Sequence, residues 1–72
     1  MAEELKIYLD AVRVNAGYSI NEWADVLGVS RDTVSNWETG KTQPKLDKLK
    51  VMSKLSGIPV DYIFMRDNPT KS

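Results

Sequence analysis

The side chains whose spacing suggests a function in this chain are hydrogen-bond donors and acceptors, and they form neither a nucleophile–base set nor a metal-ligand cluster. The 72 residues include no histidine and no cysteine, which removes the commonest general base and the usual zinc ligands. No phosphate-binding loop or nucleophile–base set occurs, so we expect no enzymatic activity, metal or cofactor. The most informative polar residues are closely spaced at Arg31, Asp32, Ser35 and Asn36. A guanidinium and an amide can each make two parallel hydrogen bonds to one planar partner, such as the edge of guanine or adenine.

The first of the two helices that must position these residues begins at Ser19. Ser19 and Glu22 have the spacing of a capping box, in which each side chain binds the backbone N–H of the other residue. Gly28 is placed to end the helix, because glycine adopts a left-handed conformation without a Cβ penalty. The apolar side of this helix consists of Trp23, Ala24 and Leu27.

The second helix follows after a very short connection. Ser30 predicts its start and Gly40 its stop, while Val34 and Trp37 give it a buried side. So short a link prevents the helices from lying antiparallel, so they must cross steeply, with Ala24 as the small residue at the crossing. The four polar residues named first then point away from the buried side.

This pair of helices resembles a known motif. The stretches LGVSRDTVSNWETGK at 27–41 and SINEWA at 19–24 resemble the helix-turn-helix of the lambda-repressor-like family, which includes Cro and the phage repressors. The resemblance extends from about residue 9 to about residue 64, so it describes a domain. It implies an all-α fold, a compact five-helix domain with the helix-turn-helix at helices 2 and 3. It also implies binding to double-stranded operator DNA, with the second helix of the pair in the major groove.

The resemblance implies base contacts from the outward residues of that second helix, which are Arg31, Asp32, Ser35 and Asn36. Arg31 suits guanine and Asn36 suits adenine. Asp32 has two interpretations: it accepts from cytosine N4, or it stabilises the positive helix start and steadies Arg31. We favour the second, because a carboxylate close to many phosphates is costly. The alternative for Arg31 and Asn36 is a plain polar helix surface.

Contacts to the DNA backbone are expected from the start of the first helix of the motif, from the second helix and from the loop after it. The candidates are Asn21, Thr33, Thr39, Lys41, Thr42 and Lys45. Ile20 departs from the family, which usually has a phosphate-binding glutamine there; either Asn21 substitutes for it or the contact is lost. Lys45 also departs, since a capping serine or aspartate is usual at its position. It weakens the cap of the next helix and adds a charge at the DNA edge.

Charge is unevenly distributed, although the net charge is zero. Residues 1–40 carry three basic and seven acidic side chains, whereas residues 41–54 carry five lysines and one aspartate. The basic segment begins directly after the second helix of the motif, where phosphates would lie. Taken alone it is explained as a solvated lysine-rich helix face; its position beside the motif favours phosphate binding.

A first helix is predicted from about residue 3 to about residue 16. Its apolar stripe consists of Leu5, Leu9 and Val12. Arg13 is either a surface cation or one partner of an ion pair. The resemblance implies a pair with Glu38, which would lock the second helix of the motif against the first helix of the chain. That role concerns geometry more than stability, because desolvation offsets much of the attraction.

A fourth helix is predicted at 46–56 and a fifth at 59–64, started by Pro59. Val51 and Leu55 form a second apolar stripe on the fourth helix, roughly opposite its inward side. Either the chain ends cover such exposed apolar groups, or they form the interface of a two-fold homodimer. The interface residues would be Val51, Leu55, Tyr62 and Phe64. We expect a domain at residues 1–65 and a short polar tail at residues 66–72.

We therefore expect a sequence-specific transcriptional regulator, most simply a phage- or mobile-element-type repressor that acts by operator occupancy, since no effector domain is evident. One alternative is the antitoxin of a toxin–antitoxin pair, with a small protein partner on the last two helices. Another is a protein-interaction module on the same fold. No apolar run approaches a membrane span and the first residues do not resemble a signal peptide, so a cytoplasmic location is expected.

Overall fold

The computed structural model describes residues 7–65 and is mainly helical. Its four α-helices are α1 (Leu9–Asn15), α2 (Ile20–Leu27), α3 (Arg31–Thr39) and α4 (Leu46–Ser56). A single 3-10 turn follows at Val60–Tyr62. Two strands of two residues each, β1 (Ile7–Tyr8) and β2 (Ile63–Phe64), lie near the two ends of the described chain.

The ends of α2 and α3 follow local sequence signals, as predicted. Ser19 Oγ accepts from Glu22 N at 3.1 Å, and Ser19 N donates to Glu22 Oε1 at 2.9 Å, which completes the capping box. Gly28 and Gly40 end the two helices with φ of 73° and 90°. These angles lie in the left-handed region, where a side chain is strained, so glycine allows both helices to stop within one residue.

The fourth helix spans the predicted residues, and its two ends differ. Lys45 precedes it and makes no side-chain capping hydrogen bond. The hydroxyl of Ser56, the last residue of the helix, makes two hydrogen bonds. Its Oγ donates to Ser53 O at 3.5 Å and accepts from Ile58 N at 3.2 Å. The hydroxyl of Ser56 thus stabilises the chain as it leaves the helix.

The first helix is shorter than predicted at its start. Ile7 and Tyr8, which were expected to be helical, are extended, and β1 pairs in parallel with β2. Ile7 lies opposite Ile63, and Tyr8 lies opposite Phe64. This pairing keeps the segment extended, so α1 begins only at residue 9. The predicted helical residues 3–6, including Leu5, and the predicted tail at 66–72 lie outside the described residues.

The mostly helical fold with the helix-turn-helix at α2 and α3 agrees with the prediction, but the count of five helices is not confirmed and a small two-stranded sheet is present. Pro59 has φ −58° and ψ 145°, which is extended, and only one 3-10 turn separates it from β2. Ile63, the first residue of β2, is 7% exposed and belongs to the core, whereas Tyr62, the last residue of the 3-10 turn, is 43% exposed. Pairing with β1 provides backbone partners that would otherwise come from continuing the helix.

One core joins the four helices and β2. Its buried side chains are Leu9, Val12, Trp23, Ala24, Leu27, Val34, Trp37, Leu49, Met52, Ile58 and Ile63. Both tryptophans are inside, Trp23 at 1% and Trp37 at 7% exposure. α2 and α3 pack directly against each other. Since α3 buries only Val34 and Trp37 on one side, its other side is left for solvent or a partner.

Candidate nucleic-acid interface

The outward side of α3 carries the four predicted base-contacting residues. Arg31 and Asp32 are exposed in its first turn, and Ser35 and Asn36 are half-buried one turn further on. Within residues 7–65, Arg31 and Asp32 have no ionic or hydrogen-bonding side-chain partner. Asp32 therefore does not hold Arg31 in this structure, and what remains of its favoured role is its place at the positive helix start. None of the guanidinium donors of Arg31 is used by another residue of the described chain.

The turn between α2 and α3 is closed by backbone and hydroxyl hydrogen bonds. Val29 N donates to Ala24 O at 3.0 Å, which turns the chain back at the end of α2. Ser30 Oγ accepts from Thr33 N at 3.1 Å and lies 2.8 Å from Thr33 Oγ1. The hydroxyl of Thr33, a predicted DNA-backbone contact, is thus already engaged in the cap of α3.

An ion pair holds the far end of α3 against α1. Arg13 Nε donates to Glu38 Oε2 at 2.8 Å, and Arg13 Nη2 donates to Glu38 Oε1 at 3.4 Å. Arg13 Nη1 also donates to Tyr18 O at 3.1 Å, in the loop that leads to α2. The two charged side chains are 18% and 12% exposed. One guanidinium therefore connects three segments of the chain, and it fixes the last turn of α3.

The start of α2 offers donors that point to solvent. Asn21 is exposed in the first turn, whereas Ile20 is half-buried and packs against the core. The backbone N–H groups of both residues have no acceptor within residues 7–65, and the helix dipole is positive here. Glu22 offsets part of this positive field. Hydrogen bonds from the backbone and the hydroxyl of Ser19 keep the pKa of Glu22 below its ordinary value of 4.5.

The loop after α3 supplies the predicted lysine contacts from its side chains. Lys41, Thr42 and Lys45 are all exposed. The backbone N–H groups of Lys41 and Thr42 both donate to Asn36 O, at 2.9 and 3.3 Å, so they are not available to phosphate. Thr39 Oγ1 donates to a main-chain carbonyl one turn back, at 3.0 Å. The ammonium groups of Lys41 and Lys45 and the hydroxyl of Thr42 donate to no acceptor within residues 7–65, so these three predicted contacts remain available in this loop.

Lys48 belongs to the basic segment at residues 41–54, but its ammonium group binds a backbone carbonyl of the protein itself. Its Nζ donates to Leu27 O, the carbonyl of the last residue of α2, at 2.8 Å. Lys48 is half-buried, unlike Lys41, Lys45 and Lys50. A contact between residues 21 positions apart leaves no periodic trace in the sequence. The available hint is that the last turn of α2 contains no basic residue of its own.

The four residues predicted for a subunit interface differ in their exposure to solvent. Val51, Leu55 and Tyr62 are exposed at 39%, 38% and 43%. Phe64 is half-buried and belongs to β2, opposite Tyr8. Since α4 contacts the 3-10 turn, the first three lie on adjoining elements. Phe64 is the least accessible member of the predicted interface.

No group of acidic residues within residues 7–65 is arranged to hold a metal ion. In the same part of the chain, no helix has the length and apolar character needed to cross a membrane.

The fold and the exposed side of α3 define the class of protein. The model of the helix-turn-helix family matches residues 9–63. The chain therefore belongs to this family, the lambda-repressor-like class of helix-turn-helix domains, which confirms the predicted resemblance.

Three named bacterial regulators are similar to this chain. A prophage-derived HTH-type transcriptional regulator of Bacillus subtilis, YonR, is 34% identical over 55 residues, which is 76% of this chain and 51% of that protein. The HTH-type transcriptional regulator ImmR of Bacillus subtilis is 32% identical over 63 residues, or 88% of this chain and 50% of that protein. The HTH-type transcriptional activator BcrR of Enterococcus faecalis is 34% identical over 55 residues, or 76% and 27%. The chain matches about half the length of YonR and of ImmR and about a quarter of BcrR. No solved structure matches the chain significantly.

Proposed function

We propose that this chain is a DNA-binding domain of a transcriptional regulator and reads double-stranded DNA with the outward side of α3. The observation that carries the proposal is the availability of Arg31: it is exposed, and has no partner among residues 7–65, in the first turn of a helix whose other side is buried. In the major groove its guanidinium would donate to the O6 and N7 atoms of guanine, and Asn36 would pair with adenine. Relatives that are named as transcriptional regulators support the same role.

The proposed phosphate contacts lie on both sides of the outward side of α3, in the loop after α3 and at the start of α2. We assign phosphate binding to Lys41, Lys45 and Thr42, and to the first turn of α2. That turn contributes Asn21 and backbone N–H groups that have no acceptor within residues 7–65. The proposal includes Thr33 and Thr39 as weaker contacts, because their hydroxyl groups already take part in internal hydrogen bonds. Each phosphate bound by a lysine should add about 0.9 to the slope of log K against log salt.

The proposal extends to a homodimer that represses by operator occupancy. Exposed Val51, Leu55 and Tyr62 would meet across a two-fold axis, which would place two copies of α3 in half-sites about 34 Å apart. Repression requires only that a bound domain blocks the promoter, and the prophage-derived relative supports a mobile-element origin. A cytoplasmic location follows from this role, since bacterial DNA lies there.

Selection of bound duplexes from a random pool tests the proposal. Wild-type protein should enrich one sequence, and a palindromic consensus would support the dimer as well. The test variant is Asn36→Ala, which alters the outward side of α3. The matched control is Lys50→Ala, which alters an exposed lysine on α4. Asn36→Ala should change the consensus, whereas Lys50→Ala should leave it unchanged. Failure to enrich any duplex at low salt would contradict the proposal and would favour a protein-interaction module.

A promoter–reporter assay with the selected sequence separates repression from activation. Expression should fall when the protein is produced, and a rise would instead place this chain with the relative that is named an activator.

A further inference from the structure

Lys48 occupies a place in the fold that its charge alone does not explain. It belongs to the basic segment after α3, yet its ammonium group is directed at the end of α2, with Nζ 2.8 Å from Leu27 O. The carbonyl groups at a helix end have no partner within the helix and carry the negative end of the helix dipole. The last turn of α2 has no basic residue, so α4 provides the cation that α2 lacks.

Two other carbonyl groups at this helix end are satisfied by the turn itself. Ala24 O accepts from Val29 N at 3.0 Å, and Asp25 O accepts from Gly28 N at 3.2 Å. The turn does not reach Leu27 O, the last carbonyl of the helix, and Lys48 is its hydrogen-bond donor. Lys48 therefore binds the helix end at the point where the direction of α3 is set.

We propose that Lys48 is a positioning residue that fixes the turn between α2 and α3, and that its charge is not available to DNA phosphates. α3 is then held at both ends: Arg13 and Glu38 secure its last turn, and Lys48 secures the turn that precedes its first residue. The effect of Lys48 on DNA affinity rests on the proposed function, whereas its effect on the turn does not.

Amide hydrogen exchange of the free protein tests the positioning role without DNA. Lys48→Met keeps the apolar stem and removes the donor, and it should raise the exchange rates of the Gly28 and Val29 amides by about tenfold, as expected for a lost hydrogen bond to a charged group. Lys48→Arg keeps charge and donor, and should restore most of the protection. Lys50→Met is the matched control, an exposed lysine of α4 without a partner within residues 7–65, and should leave both amides unchanged.

Wild-type protein provides a readout that does not depend on a folded variant. Nuclear magnetic resonance of the lysine ammonium groups should show slow proton exchange for Lys48 and a coupling to the carbonyl carbon of Leu27. An ammonium signal that exchanges as fast as that of Lys50 would overturn the proposal, and so would unchanged amide protection in Lys48→Met.

Salt titrations of DNA binding test the second half of the proposal. Lys48→Met should weaken binding to the selected duplex without changing the slope of log K against log salt, whereas Lys41→Met should reduce that slope by about one. A reduction by about one in Lys48→Met would show that Lys48 binds phosphate, which overturns the proposal. If wild-type protein binds no duplex at all, the proposed function fails, and hydrogen exchange still decides the role of Lys48.

Discussion

Breaking the pair between Arg13 and Glu38 should show how strongly α3 is held in place. The Nε–Oε2 distance is 2.8 Å, and the side chains are 18% and 12% exposed. At this distance and an effective dielectric constant of about 20, the attraction is about 6 kcal/mol before desolvation is subtracted. Desolvation offsets at least half of it, so we expect Glu38→Gln to lower the free energy of unfolding by about 2–3 kcal/mol.

Two further variants make this prediction specific to the pair. Arg13→Met should cost about 3 kcal/mol, slightly more than Glu38→Gln, because Tyr18 O also loses its donor. The double variant Arg13→Met/Glu38→Leu should lie within about 1 kcal/mol of wild type, since apolar side chains replace both partly buried charges. Glu38→Leu alone closes the cycle and should cost about as much as Glu38→Gln, so the coupling between the two sites should be about 4 kcal/mol or more.

Urea unfolding followed by tryptophan fluorescence measures these differences, because Trp23 and Trp37 are both buried. A chain of 72 residues has a stability of about 4–11 kcal/mol, so the single variants should remain folded. Their melting temperatures should fall by roughly 10–20 °C. A coupling below about 0.5 kcal/mol would refute the reasoning, since the pair would then behave like an exposed salt bridge.

Three other predictions address the core, the phosphate contacts and the start of α2. Trp37→Ala should destabilise the domain by about 3–5 kcal/mol in thermal unfolding, and a loss below about 1 kcal/mol would show that the side chain is not a core member. Lys41→Ala should weaken binding to all duplexes alike and reduce the salt slope by about one; a loss confined to one sequence would assign it to a base. Glu22 has a folded pKa below its ordinary value of 4.5, so its stabilising effect should be present above about pH 4.5 and disappear as the pH falls through the folded pKa. Titration of the Glu22 carboxyl carbon by nuclear magnetic resonance checks this, and Glu22→Gln should remove this contribution to the pH dependence of stability; a titration midpoint at or above 4.5 would contradict it.

Local signals in the sequence were sufficient for the helix-turn-helix. The capping box at Ser19 and the glycines at 28 and 40 act within a few residues, so their types and spacing predict where α2 and α3 begin and end. The buried pair Val34 and Trp37 then determines which side of α3 faces outward. These features position the candidate reading side, and all of them are visible in 22 consecutive residues at 19–40.

Contacts between distant parts of the chain were not predictable in the same way. Ile7 and Ile63 pair although they are 56 positions apart in the sequence. Strands so far apart are not joined by a hairpin turn, so no turn residues in the sequence predict their pairing. The segment after Pro59 contains Val60 and Ile63, which suit a strand as well as a helix. Lys48 carries the same charge as its neighbours, and only its reach to the end of α2 distinguishes it. The pair between Arg13 and Glu38 was implied by the family resemblance and not by any local pattern.

The central claim is that Arg31 reads a base pair, and a comparison of wild type with Arg31→Ala tests it most directly. Both proteins are titrated at one salt concentration with the selected duplex and with its single-base-pair variants. The substitution should cost about 1–3 kcal/mol on the selected duplex and should abolish discrimination at one base pair only. An equal loss on every duplex would show that Arg31 binds phosphate, and no loss on any duplex would contradict the proposed reading side of α3 altogether.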